Sequence, residues 1–282
     1  MNCDSPFFVT PKAATVAVPV PCGRCPPCKM RRVAAWVFRL LQEDKVSTSA
    51  HFVTLTYDTR FVPISSHGFM TLRKRDFQLY MKRLRKLCPD AKLRYYAAGE
   101  YGSKNKRPHY HAIIFNVPDE KYFADAWVLQ DQQIGSVHVG SVSADSVAYT
   151  MKYVDKPAAP RMHGRDDRER EFSLMSKGLG VAYLSDAVRK YHRADLSRLY
   201  VVEPGGRRIG LPKYYREKLF SDRERKDQLV LVQAQVAKKD LAERREFEET
   251  HSGSGFTFEQ WRSSERYGRY KSFYAKQRNR DL

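Results

Sequence analysis

The 282-residue sequence has no long apolar run and only five cysteines. No stretch approaches the roughly 18 apolar residues that a membrane-spanning helix needs. The first residues lack the charged segment and apolar core of a secretory signal, so we expect no membrane association. An odd number of cysteines argues against a disulfide framework and favours a reducing cytoplasm. The sequence contains no internal repeat and no G-x-x-x-x-G-K-[ST] motif, so we expect no helicase domain of the P-loop type.

Acidic residues are scarce relative to basic ones. The chain carries 51 Lys and Arg against 32 Asp and Glu, for a net charge of +19. Residues 60–109 alone hold 13 basic residues and three acidic ones, which is about half of the net charge. Such a charge density attracts a polyanion, most commonly nucleic acid. The DNA-binding candidates in this region are Arg73, Lys74, Lys82, Arg83, Arg85, Lys104, Lys106 and Arg107.

A pair of histidines precedes an apolar, β-branched run in Pro108-His109-Tyr110-His111-Ala112-Ile113-Ile114-Phe115. Side chains at i and i+2 of a strand point to the same side of the sheet. His109 and His111 should therefore stand side by side, as a pair of metal ligands would. By itself the H-x-H pattern is equally compatible with two ordinary surface histidines on a basic strand.

A carboxylate precedes the histidine pair by nine residues. Residues 93–101 also have strand character, and a polar loop separates them from the histidines. If the two strands form a hairpin, Glu100 becomes a cross-strand neighbour of His109 and His111. Two imidazoles and one carboxylate suit Mg²⁺ or Mn²⁺, with water and substrate oxygens as the other ligands.

A second ligand cluster lies near the N-terminus, where Cys22, Cys25 and Cys28 form a C-x2-C-x2-C pattern. This spacing is typical of zinc sites, but a closed structural site needs a fourth ligand. Cys3, His51 and Cys88 are all candidates, and the sequence does not choose among them. An iron–sulfur cluster and a Pro-stiffened turn that contains thiols are the alternatives.

Helical spacing predicts a helix over residues 143–156, capped by Ser143 and ended by Pro157. On it Tyr149 and Tyr153 are neighbours at i and i+4, and Lys152 and Lys156 each follow a tyrosine by three residues. Tyrosines at this spacing usually pack in a core. Beside a divalent metal and a basic surface, however, a phenol with a nearby cation suits nucleophilic attack on a phosphodiester.

The remaining patterns predict strands over residues 51–57 and 135–142. They predict helices over residues 29–43, over 72–87 with Thr71 as N-cap, and over 222–249. We expect residues 1–21 to form an irregular arm and residues 158–180 an exposed connection. The predicted domains are a Cys-rich arm with a basic helix (1–48), a catalytic domain (49–157), a connecting region (158–210) and a basic helical extension (211–282).

Taken together, these motifs resemble those of the HUH endonucleases that initiate rolling-circle replication. Phe52-Val53-Thr54-Leu55-Thr56-Tyr57 is similar to their motif 1, and Pro108-His109-Tyr110-His111 with Glu100 is similar to motif 2. Residues 149–156 are similar to the two-tyrosine motif 3, especially that of the gene A proteins of small icosahedral single-stranded DNA phages. The run of Cys22, Cys25 and Cys28 before an Arg-rich helix resembles the gokushovirus branch.

The resemblance implies an α+β fold with a central antiparallel sheet and flanking helices. It implies that His109 and His111, with Glu100 as a less constant third ligand, bind Mg²⁺ or Mn²⁺, that Tyr149 and Tyr153 are the nucleophiles, and that Lys152 and Lys156 assist them. The expected activity is nicking of the double-stranded replicative form at its origin and rejoining of the displaced single strand into a circle. The expected partners are single- and double-stranded origin DNA and the host polymerase and helicase, in the cytoplasm of a bacterial host.

Three other functions fit parts of the sequence. A zinc-dependent nucleic-acid-binding regulator would use the cysteines and basic helices without catalysis. A relaxase or transposase would share the chemistry and differ in its target DNA. A structural, capsid-associated protein would explain the charge but not the ordered motifs.

Overall fold

We analysed a computed structural model, which describes residues 3–10, 17–102, 105–143, 147, 150, 164–203, 205–251, 253 and 255–278, without the side chains of residues 273, 274 and 276–278. The chain divides into two compact units, residues 33–183 and residues 1–32 with 184–282. Among the described residues, no helix has the length and apolar character needed to cross a lipid bilayer.

The secondary structure is of the mixed α+β type. The strands are, in chain order, β1 Phe7–Val9, β2 Val18–Val20, β3 Ala50–Thr56, β4 Arg94–Tyr101, β5 Pro108–Phe115, β6 Val128–Leu129, β7 Gln132–Gln133, β8 Val137–Ser141, β9 Phe172–Met175, β10 Tyr200–Val202 and β11 Arg208–Gly210. The α-helices of the described residues are α1 Pro26–Asp44, α2 Lys74–Leu87, α3 Lys121–Asp125, α4 Asp186–Arg193, α5 Lys213–Leu219, α6 Asp222–His251 and α7 Phe258–Arg278.

A five-stranded sheet in the order β8-β3-β5-β4-β9 forms the centre of the 33–183 unit, and every neighbouring pair is antiparallel. The predicted central antiparallel sheet is therefore present. The predicted hairpin of β4 and β5 is confirmed, with Glu100 opposite His109 and Ala98 opposite His111.

The two faces of this sheet are covered by different helices. Alternate strand residues such as Val53, Leu55 and Tyr110 belong to a buried cluster that includes Phe77 and Leu84 of α2. The other alternation belongs to a second apolar cluster, which consists of Val37, Leu40, Tyr96, Ile113, Phe115, Val147 and Leu179. Glu100, His109 and His111 share the parity of Tyr96 and Ile113, so they lie on the face that α1 covers.

Thr71 is not the N-cap of α2, contrary to the prediction from the sequence. The N-cap is Arg73, in an extended conformation, and the helix begins at Lys74. The reason is a tertiary contact: the backbone N–H groups of Leu72 and Arg73 donate to the phenolic oxygens of Tyr101 (2.9 Å) and Tyr110 (3.1 Å). These bonds hold the two residues in the strand-like segment that precedes the helix.

The predicted exposed connection over residues 158–180 is wrong for its second half. Residues 172–175 form β9, an edge strand of the central sheet, and Phe172 packs against the cluster on the α2 side. Gly99 lies opposite Phe172, and a Cβ on this glycine would come within 2.9 Å of the phenyl ring. The packing of Phe172 thus depends on a residue more than 70 positions earlier, which explains why a local pattern missed the strand.

The other unit contains the two chain ends and is mainly helical after residue 184. Residues 1–21 are not wholly irregular, since β1 and β2 pair antiparallel within them. The predicted long helix is present as α6, and it pairs with α7 through Phe247 against Trp261 (5.6 Å between ring centroids) and an Arg262–Asp240 ion pair of 2.6 Å. Most other α6 side chains are exposed, as expected for a solvated helix with mixed charges.

Candidate functional site

Glu100, His109 and His111 meet at one end of the β4–β5 hairpin. The Nε2 atoms of His109 and His111 lie 2.6 Å and 2.9 Å from the same carboxylate oxygen, Oε1 of Glu100. The two imidazole rings stand edge to face, with centroids 5.1 Å apart. The ligand atoms of all three residues fall within 4.8 Å of one another, which is close enough for a single ion.

The orientation of both imidazoles is fixed from behind. Nδ1 of His109 lies 3.0 Å from the carbonyl oxygen of Arg107, and Nδ1 of His111 lies 3.0 Å from Oγ1 of Thr54. A carbonyl oxygen can only accept, so His109 donates from Nδ1, and in the neutral ring its Nε2 lone pair faces Glu100. Phe52 stacks parallel to His111, with 5.7 Å between ring centroids and 7° between planes.

Glu100 is buried in an unusual state for a carboxylate. Its side chain is almost fully enclosed, and among the described residues its Oε2 atom has no hydrogen-bond partner. Burial by itself would raise the pKa of Glu100, but the hydrogen bonds from His109 and His111 outweigh it and lower the pKa below the usual value of 4.5. An ionised carboxylate with an unpartnered oxygen, next to two imidazole nitrogens, fits a divalent cation.

The sequence analysis did not assign a role to Thr54 or Phe52. Both belong to β3, and the register places Thr54 opposite His111. A signal was present, because Thr54 lies in the strand that resembles motif 1. Its partner could not be identified from the sequence, since the β3–β5 pairing joins residues 57 positions apart.

Tyr149, Lys152, Tyr153 and Lys156 lie outside the described residues. Within the segment that carries them, Val147 and Thr150 are described, and both are buried. Val147 belongs to the apolar cluster with Tyr96, Ile113 and Phe115, on the sheet face that also carries Glu100 and the histidines. The start of the predicted tyrosine helix therefore contacts the correct face of the sheet.

Comparisons with known proteins agree with this arrangement. Residues 50–158 match the family described as replication-associated protein ORF2. Replication-associated protein VP4 of Bdellovibrio phage phiMH2K is 30% identical over 242 residues, which cover 79% of this chain and 74% of that protein. This chain belongs to the phage replication-associated proteins. Replication-associated protein ORF2 of Spiroplasma virus 4 is 27% identical, with 81% of this chain and 76% of the relative covered.

A third relative is more distant. Replication-associated protein ORF4 of Chlamydia phage 1 is 23% identical over 71% of this chain and 53% of its own length. These relatives are consistent with a replication-associated protein of the gokushovirus type, as the motif resemblance implied. No solved structure matches the chain.

The second ligand cluster of this family member lies in the other unit. Cys3 joins Cys22, Cys25 and Cys28, and the four Sγ atoms lie within 4.8 Å of one another. Of the three candidates for a fourth ligand, the structure therefore brings Cys3 to the cluster. Cys88 is buried in the core beside α2, and Nδ1 of His51 lies 3.3 Å from Glu120, both in the 33–183 unit.

The basic candidates of this replication-associated protein fall on different sides of the sheet. Lys82 and Arg85 are exposed on α2, which covers the face opposite the histidines. Arg83 is only partly exposed and donates from Nε to the carbonyl oxygen of Ala126 at 2.8 Å, so it already has a structural partner. Arg73 and Lys74 are exposed at the start of α2, and Lys104 lies outside the described residues.

The β4–β5 loop places two cations beside the histidines. Lys106 is exposed, and Arg107 donates from Nη2 to the carbonyl oxygen of Tyr57 at 2.6 Å. The carbonyl oxygen of Arg107 also holds the ring of His109. Of the described basic candidates, Lys106 and Arg107 are therefore nearest in sequence to the histidine pair and lie in the loop that supports it.

Proposed function

We propose that this chain is a metal-dependent DNA strand transferase that nicks the origin of a double-stranded replicative form and so initiates rolling-circle replication. The observation that carries the proposal is the convergence of Glu100, His109 and His111 within a chain that belongs to the phage replication-associated proteins. The matched family region, residues 50–158, also contains the two tyrosines.

Glu100, His109 and His111 would hold Mg²⁺ or Mn²⁺. Their donor set of one carboxylate and two imidazoles suits these ions, and the unpartnered Oε2 atom of Glu100 offers a further ligand position. When bound, the ion would polarise a phosphate oxygen and offset the negative charge that develops in the transition state. The Thr54 and Arg107 contacts fix both imidazoles, so little reorganisation is needed on binding.

The nucleophiles are Tyr149 and Tyr153. A phenol has an ordinary pKa near 10, so it needs help to lose its proton at neutral pH. Lys152 and Lys156, each three residues after a tyrosine on the predicted helix, would favour the phenolate and orient it for in-line attack. The tyrosine oxygen forms a bond to phosphorus, and the bond to the 3′ oxygen breaks. The phenolic proton is released, and the leaving oxygen takes up a proton to become a 3′-OH.

The product is a 5′-phosphotyrosine link that conserves the energy of the broken phosphodiester. The free 3′-OH serves as primer for the host polymerase, and unwinding is supplied by a host helicase. With two tyrosines one helical turn apart, one can hold the DNA end while the other attacks the junction after a full round of synthesis. The 3′-OH of the displaced strand then attacks the first link, which releases a closed single-stranded circle.

We assign this chemistry to an HUH-type domain over residues 49–157, with β9 completing its sheet. The Cys-rich arm (1–48), the connecting region (158–210) and the basic extension (211–282) would contact single- and double-stranded origin DNA. Because the relatives belong to phages of bacteria, the reaction would take place in the cytoplasm of the bacterial host. In the loop beside the histidines, Lys106 and Arg107 are best placed to contact DNA near the scissile phosphate.

A second function, a zinc-dependent nucleic-acid-binding regulator without catalysis, is favoured by one observation, the four-cysteine cluster. It predicts DNA binding that is insensitive to loss of the tyrosine hydroxyls. The triad of Glu100, His109 and His111 has no role in it.

The deciding experiment incubates the protein with Mn²⁺ and the supercoiled, double-stranded form of the phage genome that encodes it, then maps any DNA-linked peptide. We expect nicking and a link to Tyr149 or Tyr153. The His109→Ala and His111→Ala variants and EDTA should abolish nicking. Tyr149→Phe with Tyr153→Phe should abolish the adduct, whereas each single variant retains one cleavage.

Matched controls come from residues outside the site. His67→Ala removes an exposed histidine, and Tyr267→Phe changes a tyrosine that is 71% exposed on α7, so neither should alter nicking. A covalent adduct that survives the double tyrosine substitution would contradict the assignment. Nicking that persists in both histidine variants would contradict it as well.

A further inference from the structure

The four cysteines of the N-terminal region form a more complete site than the sequence indicated. Cys3 comes from the segment before β1, whereas Cys22, Cys25 and Cys28 lie after β2 and at the start of α1. Pairing of β1 with β2 folds the chain back and brings Cys3 to the other three. The Sγ atoms of Cys3 and Cys25 are 3.9 Å apart. Cys25 and Cys28 are buried, and Cys3 and Cys22 are partly exposed.

The spacing of the sulfur atoms identifies the class of ligand. Four thiolates around one zinc ion at about 2.3 Å form a tetrahedron with edges of about 3.8 Å. The 3.9 Å between Cys3 and Cys25 matches that edge. An iron–sulfur cluster binds each thiolate to a different iron atom and would hold the sulfurs farther apart. A disulfide needs about 2.0 Å, and all of the described cysteines are free.

Hydrogen-bond donors surround the sulfur atoms. The backbone N–H groups of Arg24 and Cys25 point to Sγ of Cys22 at 3.4 Å and 3.3 Å. The guanidinium of Arg31 donates to Sγ of Cys28 at 3.2 Å. Zinc with four thiolates carries a net charge of −2, so such donors are what a tetrathiolate site requires.

We propose that Cys3, Cys22, Cys25 and Cys28 bind one structural zinc ion, and that this ion fastens the N-terminal segment to α7 through Asp4. The proposal goes beyond the strand-transfer activity and does not depend on it. With four protein ligands the site is closed, which is typical of zinc that stabilises a fold and not of zinc that performs catalysis.

The link to α7 follows from the position of Asp4, next to Cys3. Its backbone N–H donates to Sγ of Cys25 at 3.5 Å. Its carbonyl oxygen accepts from Arg266 at 2.9 Å, and its carboxylate accepts from Arg269 at 3.2 Å. Asp4 is 8% exposed, so these two arginines of α7 bind a residue that the cysteine cluster holds in place. Loss of the metal should therefore release α7.

The first test measures the metal in the full-length protein. We expect about one tightly bound zinc per chain and, after exchange with Co²⁺, the visible absorption of a tetrahedral tetrathiolate. Cys3→Ser should weaken zinc binding by more than about 100-fold, since even the loss of an outer hydrogen-bond partner costs 10–100-fold. Cys88→Ser is the matched control, because Cys88 is buried elsewhere and should leave zinc binding unchanged.

Thiol alkylation keeps the test decisive if Cys3→Ser does not fold. In the wild-type protein, a zinc chelator should expose Cys3, Cys22, Cys25 and Cys28 to the reagent while Cys88, 4% exposed, remains protected as an internal reporter of folding. Protein without zinc, a cobalt spectrum with fewer than four thiolates, or unchanged zinc affinity in Cys3→Ser would each overturn the proposal.

The second test measures amide hydrogen exchange in residues 258–272 of α7. Zinc removal should accelerate exchange there. Asp4→Ala should do the same while zinc stays bound, because it removes the carboxylate that Arg269 contacts. Exchange in α7 that is insensitive to both changes would overturn the fastening role.

Discussion

Replacement of Thr54 by Val is the sharpest test of how the histidine pair is held. Thr54 lies opposite His111 in the β3–β5 register, and its Oγ1 is 3.0 Å from Nδ1 of that ring. Valine has nearly the same shape and an equally high preference for strands. The substitution therefore removes one hydrogen bond and leaves the packing of β3 almost unchanged.

The expected effect is a loss of about tenfold in Mn²⁺ affinity. A typical intramolecular hydrogen bond contributes about 0.5–1.5 kcal/mol, and about 1.4 kcal/mol corresponds to a factor of ten. Substitutions that remove the outer partner of a metal-binding histidine usually cost about 10–100-fold in affinity or activity. The two ranges overlap near tenfold, with a decrease in unfolding free energy of no more than about 1.5 kcal/mol.

The assay is titration of the protein with Mn²⁺, followed by electron paramagnetic resonance of the free ion. Thr54→Ser keeps the hydroxyl and should retain most of the affinity. Thr56→Val is the matched control, because Thr56 lies on the same strand face but contacts Ser136, at 2.5 Å between hydroxyl oxygens. If Thr54→Val binds Mn²⁺ as tightly as Thr56→Val, the orienting role of Thr54 is refuted.

Three further outcomes follow from the structure. In the metal-free protein the ionised form of Glu100 stabilises the fold, and because its pKa is below 4.5 this stability is present above that pH and lost as the pH falls through the lower value, so the difference in Tm between wild type and Glu100→Gln should shrink below about pH 4.5. Gly135→Ala should unfold the protein at a markedly lower temperature, because the new Cβ would come within 1.7 Å of the carbonyl oxygen of Thr56, which is backbone and cannot move aside. Arg83→Ala should lower the unfolding free energy by about 1–3 kcal/mol through loss of the bond to Ala126, while the salt dependence of DNA binding, measured by fluorescence anisotropy, stays unchanged.

The sheet divides the basic surface in a way that affects how DNA contacts should be tested. Lys82 and Arg85 are on the helix that covers the face opposite Glu100 and the histidines. They cannot contact the phosphate that lies at the histidine pair. Variants of Lys106 and Arg107, by contrast, report on the same end of the hairpin as the proposed metal ligands.

The sequence by itself determined the local parts of the candidate site. Alternation along a strand places His109 and His111 on one face, and a short loop between two strands allows only a few registers, so the approach of Glu100 could be predicted. The motifs and their order also predicted the family, which the relatives confirm.

Only the tertiary structure decided the contacts between distant segments. The support of His111 by Thr54, the choice of Cys3 as fourth thiol and the addition of β9 to the sheet edge all join residues that are far apart in the chain. The start of α2 shifted for the same reason, since hydroxyls from β4 and β5 bind Leu72 and Arg73. Local periodicity records which side of an element is apolar. It carries no information about which distant element will cover that side, because that choice is made by packing of the whole chain.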